Sequence, residues 1–257
     1  MSLLRRALLA AVLALPQAFP AARAAPHEIN VFTDEVEESG EIGFEMHVNY
    51  ARGRDKPDFR GELPPDKAWR IMPEFVFGLP NDWEIGLHLP AQRDGDGKFH
   101  VDGLRVRLEH LWPRKEQSPF FAGVNFEWGY DRPHLSQDRQ GLELRGILGW
   151  RTEDWLVAVN PILGWAIKGP DKSSRPGFAG SLKIARQVHE GWAVGIEHYA
   201  GFGRLHNFAP RREQDHVLYL AVDYEGKGWG VNLGIGKGLT PASDDHVFKA
   251  IIGIPFK

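Results

Sequence analysis

Glu45 and His47 stand two residues apart, and Glu84 and His88 stand four apart. On an extended chain each pair projects from one face, where an imidazole nitrogen and carboxylate oxygens could share a metal ion. Compact H-x-H or H-E-x-x-H groupings, which bring ligands together by spacing alone, do not occur in the sequence. Spacing therefore assigns no metal and no cofactor. A hydrolase acting on membrane lipid would need a serine and a base on the lipid-facing side. His110 and His198 fall on that side by parity, but Ser181 falls on the other and Ser118 in a turn. No catalytic residue is assigned, and an enzyme is not expected.

The charged residues carry more. Arg70, Glu74, Glu84, Arg105, Arg107, Glu109, Glu127, Glu143, Arg145, Lys183, Glu197, Asp223 and Lys249 all occupy the polar positions of alternating stretches, as does Glu45. If those positions line the interior of a barrel, they form a nearly balanced set of acids and bases. Two readings follow. Paired charges could fill and stiffen the lumen, or opposed acidic and basic sides could filter a small solute. Arg105, Arg107 and Arg145 are the candidates for the basic side.

The elements that must position these residues are strands. In Phe120 to Tyr130, residues Phe120, Ala122, Val124, Phe126, Trp128 and Tyr130 share one face and Glu127 lies on the other. The same alternation predicts strands over 42–50, 69–79, 83–89, 101–112, 142–150, 155–167, 178–188, 192–202, 216–224, 229–239 and 247–256. Most are long enough for a tilted strand to cross a hydrocarbon core, which takes about 9–11 residues. Pro73 and Pro161 interrupt two of these strands, and a bulge is the expected accommodation at each.

Connections alternate between short turns, such as 80–82, 151–154, 189–191 and 225–228, and mostly longer polar loops, such as 51–67, 131–140 and 203–215. That asymmetry predicts an antiparallel, up-and-down transmembrane β-barrel of about 12 strands, with both ends of the barrel chain on the short-turn side. Trp83, Trp112, Trp150, Trp155, Trp192 and Trp229 lie beside short turns and would form the girdle at that membrane boundary. Tyr50, Trp69, Trp128, Tyr130, Trp165 and Phe202 would form the opposite one.

Residues 1–24 read as a signal peptide: Arg5 and Arg6, an apolar run from Ala7 to Leu15, then Ala22-Arg23-Ala24. Its removal leaves 28 basic and 34 acidic residues, a formal charge of −6. Such a balance argues against nucleic acid as a partner. The absence of cysteine excludes disulfides and zinc–thiolate centres. Mean hydropathy is −0.35, which a barrel tolerates because alternate strand residues avoid lipid. Residues 25–41 are acidic, with Ile29, Val31, Phe32 and Val36 as their main apolar side chains, and are expected to form an arm or a plug. Residues 42–257 would form the barrel.

The run Arg70, Pro73-Glu74-Phe75, Gly78, Trp83-Glu84 and Gly86 resembles a family of bacterial outer-membrane β-barrels without an assigned function. So do Asn125-Phe126-Glu127, Gly149-Trp150-Arg151, Asn160-Pro161-Ile162 and Gly238-Leu239-Thr240-Pro241. That family is similar to outer-membrane proteins assigned to the phenol-degradation meta pathway and, more loosely, to transporters of hydrophobic compounds. The resemblance implies a cell outer-membrane location, with outer-membrane lipid and the barrel assembly machinery as partners. It implies a narrow channel or transporter for small solutes, hydrophobic or aromatic ones among them. The alternatives are a plugged structural barrel and an outer-membrane lipid hydrolase. Where many such barrels end on an aromatic residue, Phe256 is here followed by Lys257.

Overall fold

The computed structural model describes residues 27–53, 60–115 and 118–256. The signal-peptide assignment and Lys257 lie outside them. The strands are β1 (Ile42–Arg52), β2 (Trp69–Leu79), β3 (Trp83–His88), β4 (Ala91–Arg93), β5 (Phe99–Val101), β6 (Gly103–Leu111), β7 (Phe120–Asp131) and β8 (Gln140–Arg151). They continue with β9 (Trp155–Lys168), β10 (Gly177–His189), β11 (Trp192–Arg204), β12 (Asn207–Phe208), β13 (Asp215–Gly226), β14 (Trp229–Gly238) and β15 (His246–Phe256). Each long strand pairs antiparallel with its chain neighbours, and β1 pairs with both β2 and β15, which closes the sheet. Closure removes the unpaired edges that hydrocarbon cannot solvate.

Among the described residues the barrel has 12 staves. Two of them are broken: β3 and β4 form one, with Leu89-Pro90 between, and β5 and β6 form the next, with Asp102 between. Between them, β4 and β5 form a hairpin with its tip at 94–98 that extends both staves. At the opposite mouth, Asn81 and Asp82 adopt positive φ of 62° and 57°. Leu79 pairs with Trp83, so Pro80-Asn81-Asp82 is a three-residue turn whose last two residues are left-handed, a conformation that asparagine and aspartate tolerate.

The two prolines are accommodated without bulges. Across Pro73 the β1–β2 register is continuous, and the Pro73 carbonyl accepts from Leu89 N at 3.0 Å. Its missing donor thus faces the break between β3 and β4, where the ladder is already interrupted. Opposite Pro161 and Asn160, the β8–β9 ladder loses pairing at Gly146 and Ile147, then resumes at Leu148–Val159 in the same register. A Cβ on Gly146 would sit 3.1 Å from the Pro161 ring, so glycine there admits the proline.

Burial is inverted relative to a water-soluble domain. Outward-facing Phe126, Leu148, Val159, Leu220, Leu233 and Ile235 are exposed, while Glu74, Arg107, Glu109, Arg145, Glu197 and Lys249 are buried inside. A continuous apolar exterior around a charged interior fits a barrel surrounded by lipid and is the reverse of a water-soluble barrel, whose apolar face turns inward. Trp112, Trp155, Trp192 and Trp229 are each between 41% and 50% exposed beside the short turns. Trp83 stacks on His110 with ring centroids 4.4 Å apart. At the long-loop mouth, Tyr50 packs on Trp69 and Phe178 on Phe202.

Candidate functional site: the barrel lumen

The lumen contains a length of the chain itself. His27 lies near the long-loop mouth: its Nε2 is 2.6 Å from Asp102 Oδ2, and its carbonyl accepts from Asn49 Nδ2 at 2.7 Å. His134, from the β7–β8 loop, reaches the other oxygen of Asp102 at 2.7 Å. From there the chain runs the length of the lumen. Asp34 and Glu35 meet Arg151 near the short-turn mouth, and Asp34 also pairs with Arg114. Gly40 N donates to the Gly78 carbonyl and Gly78 N to the Glu41 carbonyl before β1 begins.

The apolar side chains of this segment find apolar patches on an otherwise charged wall. Val31 and Phe32 cluster with inward-facing Leu111, Phe121, Ile147 and Ala158, and Val36 packs beside them. Ile29 packs on a second cluster of Ala51, Val217, Tyr219 and Val247. The guanidinium of Arg145 lies 4.3 Å from the Phe32 ring centroid and that of Arg107 lies 5.3 Å away. Stacked cations of this kind stabilise a desolvated ring by about 1–2 kcal/mol. Gly43 and Gly78 leave room for the segment: a Cβ on Gly78 would collide with the Glu38 carbonyl, and one on Gly43 with the Glu37 carboxylate.

The charged wall divides into two groups. In the first, Arg107 spreads its donors over Glu74 at 2.6 Å, Glu84 at 2.6 Å and Glu109 at 2.9 Å. Arg105 reaches Glu127 at 2.9 Å and Asp131 at 3.3 Å. Arg145 holds Glu143 at 2.8 Å and Glu28 of the lumenal segment at 3.2 Å. Glu84 also accepts from the backbone N of Glu37 at 2.7 Å. Arg105, Arg107 and Arg145 therefore do not form a basic side facing an acidic one. Acids and bases interdigitate on adjacent staves, because β2, β3, β6, β7 and β8 stand side by side.

In the second group, Lys249 pairs with Glu197 and donates to the Ile29 carbonyl at 3.1 Å. Lys183 donates to Asp223 at 2.6 Å, and Tyr199 donates to Glu197 at 2.6 Å. Asn232 joins Glu197 to Asp223. Arg70, near the long-loop mouth, lies 3.6 Å from Asp244. Near the short turns a cavity of about 140 Å3 remains between Thr33 and Glu35 of the segment and wall residues Arg151, Lys183, Gln187 and Asp223.

Sequence reasoning allowed residues 25–41 to enter the lumen as a plug but assigned no partners to His27, Glu28 or Phe32, and it did not single out Asn49, Tyr199 or Tyr219 as lumenal contacts. Tyr219 shows why: it occupies an inward position, and Gly236 opposite it has no side chain to block the ring. Glu84 and His88 share a face as expected, yet His88 lies against Glu74 at 2.8 Å and Glu127 at 3.5 Å instead. Glu45 and His47 do approach, at 3.3 Å.

No family model matches the chain, and no curated protein matches it. Solved structures do. An outer membrane channel from Pseudomonas putida F1 superposes with a TM-score of 0.64 at 13% identity, over 89% of this chain and 100% of that one. The fold is that of outer-membrane channels and porins. The KdgM porin matches with a TM-score of 0.55 at 13% identity, over 84% of this chain and 99% of its own. The NanC porin matches with a TM-score of 0.55 at 10% identity, over 83% of this chain and 99% of its own.

Proposed function

We propose that this protein is an outer-membrane channel for small solutes whose lumen is closed by residues 27–41. The observation that carries the reading is the course of that segment, from His27 at Asp102 to Gly40 at Gly78, along the inside of the barrel. Its likeness in fold to a channel and to porins supports a conducting role. A segment held largely by hydrogen bonds, ion pairs and two apolar contacts can be released without breaking the barrel ladder, so closure and stability are separable.

The charged wall favours small polar or charged solutes over bare hydrocarbons. Burial of an unpaired charge is expensive, so a solute entering this lumen must exchange ion-pair partners with the wall. Lys183, Asp223 and Arg151 border the open cavity and are the first such partners met from the short-turn side. An aromatic solute fits this route only if it carries a charged group.

The test is conductance and solute flux through the full chain reconstituted in planar bilayers and in liposomes. The reading expects discrete openings and uptake of small charged solutes. A correctly inserted barrel that passes no ion and no solute would instead be a structural, permanently closed barrel.

A further inference from the structure

We propose that Glu28, His88 and Glu127 bind a divalent first-row transition ion that staples the lumenal segment to the barrel wall. One ligand atom from each residue lies within 4.8 Å of the other two, and all three side chains are buried. They come from three separate places: the segment, β3 and β7.

His88 supplies the decisive observation. It is fully buried, and neither ring nitrogen has a hydrogen-bond partner. A buried donor or acceptor left without a partner forfeits its hydration uncompensated. Nδ1 stands 3.5 Å from Glu127 Oε2 and Nε2 stands 2.8 Å from Glu74 Oε1, yet neither N–H direction meets an acceptor. Atoms about 3.0–3.5 Å apart form the edge of an octahedron or tetrahedron with bonds of ~2.1 Å. A ring aimed beside its carboxylates rather than at them leaves its in-plane lone-pair direction open to an ion.

Glu28 and Glu127 are buried, each held by one arginine, Arg145 and Arg105, and an ion between them would share that charge. One imidazole with two carboxylates, and no thiolate in the chain, suits zinc and its neighbours rather than soft ions.

The site rests on these contacts alone; its effect on gating rests on the channel reading. Zinc is the probe. The metal-stripped full chain in detergent is titrated with zinc in competition with a chromophoric chelator, and folding is checked by the heat-modifiable shift on unboiled gels. His88→Gln should remove one equivalent of bound zinc. Glu28→Gln, which lies off the barrel ladder and keeps the fold testable if H88Q does not fold, should weaken that equivalent at least tenfold. Absence of saturable binding in the wild type, or binding unchanged in a folded variant, would overturn the proposal. In bilayers, zinc should lengthen the closed intervals of the wild type but not of E28Q. Binding that is lost in E28Q without any zinc effect on openings would retain the site and overturn the staple.

Discussion

Asn160 holds Phe32 by both halves of its backbone: its Oδ1 accepts from Phe32 N at 2.8 Å, and its Nδ2 donates to the Phe32 carbonyl at 3.0 Å. A side-chain amide here does what a neighbouring strand does in a ladder. It lets an extended segment lie in a lumen without orphaned peptide groups. Asn160 is available for this because its side chain points inward from β9 and is fully buried in the lumen.

Asn160→Ala should therefore free the segment more than it harms the barrel. Two buried hydrogen bonds at about 1 kcal/mol each correspond to a tenfold or greater rise in the open population. Open probability in planar bilayers measures this, with the heat-modifiable transition of the barrel expected to change little.

Phe32→Ala removes a ring buried among Leu111, Phe121 and Ile147 and stacked beneath Arg145. Truncation of a buried aromatic costs about 3–5 kcal/mol, here charged to docking of the segment. Cleavage of the N-terminal region by added protease should become fast, while the barrel stays resistant. Unchanged cleavage would mean that Phe32 does not anchor the segment.

Gly78→Val places a side chain where the Glu38 carbonyl now lies. The segment must shift at the short-turn mouth, so larger or more frequent openings are expected in bilayers. Gly78 is otherwise an ordinary position of β2, and folding yield should be preserved.

Arg107→Met has a different consequence. Arg107 serves Glu74, Glu84 and Glu109 at once, so its loss strands three buried carboxylates. Breaking such a network costs about 3–5 kcal/mol. A lower unfolding temperature on unboiled gels is expected before any change in ion selectivity.

Leu220→Arg addresses the surroundings of the barrel. Leu220 lies mid-way along β13 and is 71% exposed. An arginine facing lipid at the midplane costs about 2–4 kcal/mol, whereas the same change on a water-exposed surface is nearly neutral. Reduced folding yield into bilayers, read from the heat-modifiable band, is the expected result.

The staves were legible because alternation is local. Phe126 and Glu127 declare their sides within a few residues, and the run of tryptophans beside short turns marks a boundary without reference to any partner. The interior was legible only as a set. Which acid meets which base depends on staves brought together by barrel closure, and on a segment whose partners are far away in sequence. Glu28 meets Arg145 and Ile29 meets Lys249 across 117 and 220 residues respectively. Nothing in the local pattern of either residue encodes that meeting. The prolines misled for a related reason: Pro73 needs no bulge because its defect faces a break in a different strand.

The central claim is that the lumenal segment, and not the barrel wall, closes this channel. Single-channel recording of the wild type beside the double variant Phe32→Ala, Asn160→Ala tests it most directly. The account predicts a mostly closed wild type with brief openings, and a folded variant with long openings of larger conductance. Equal conductance and equal open times in the two folded proteins would contradict it.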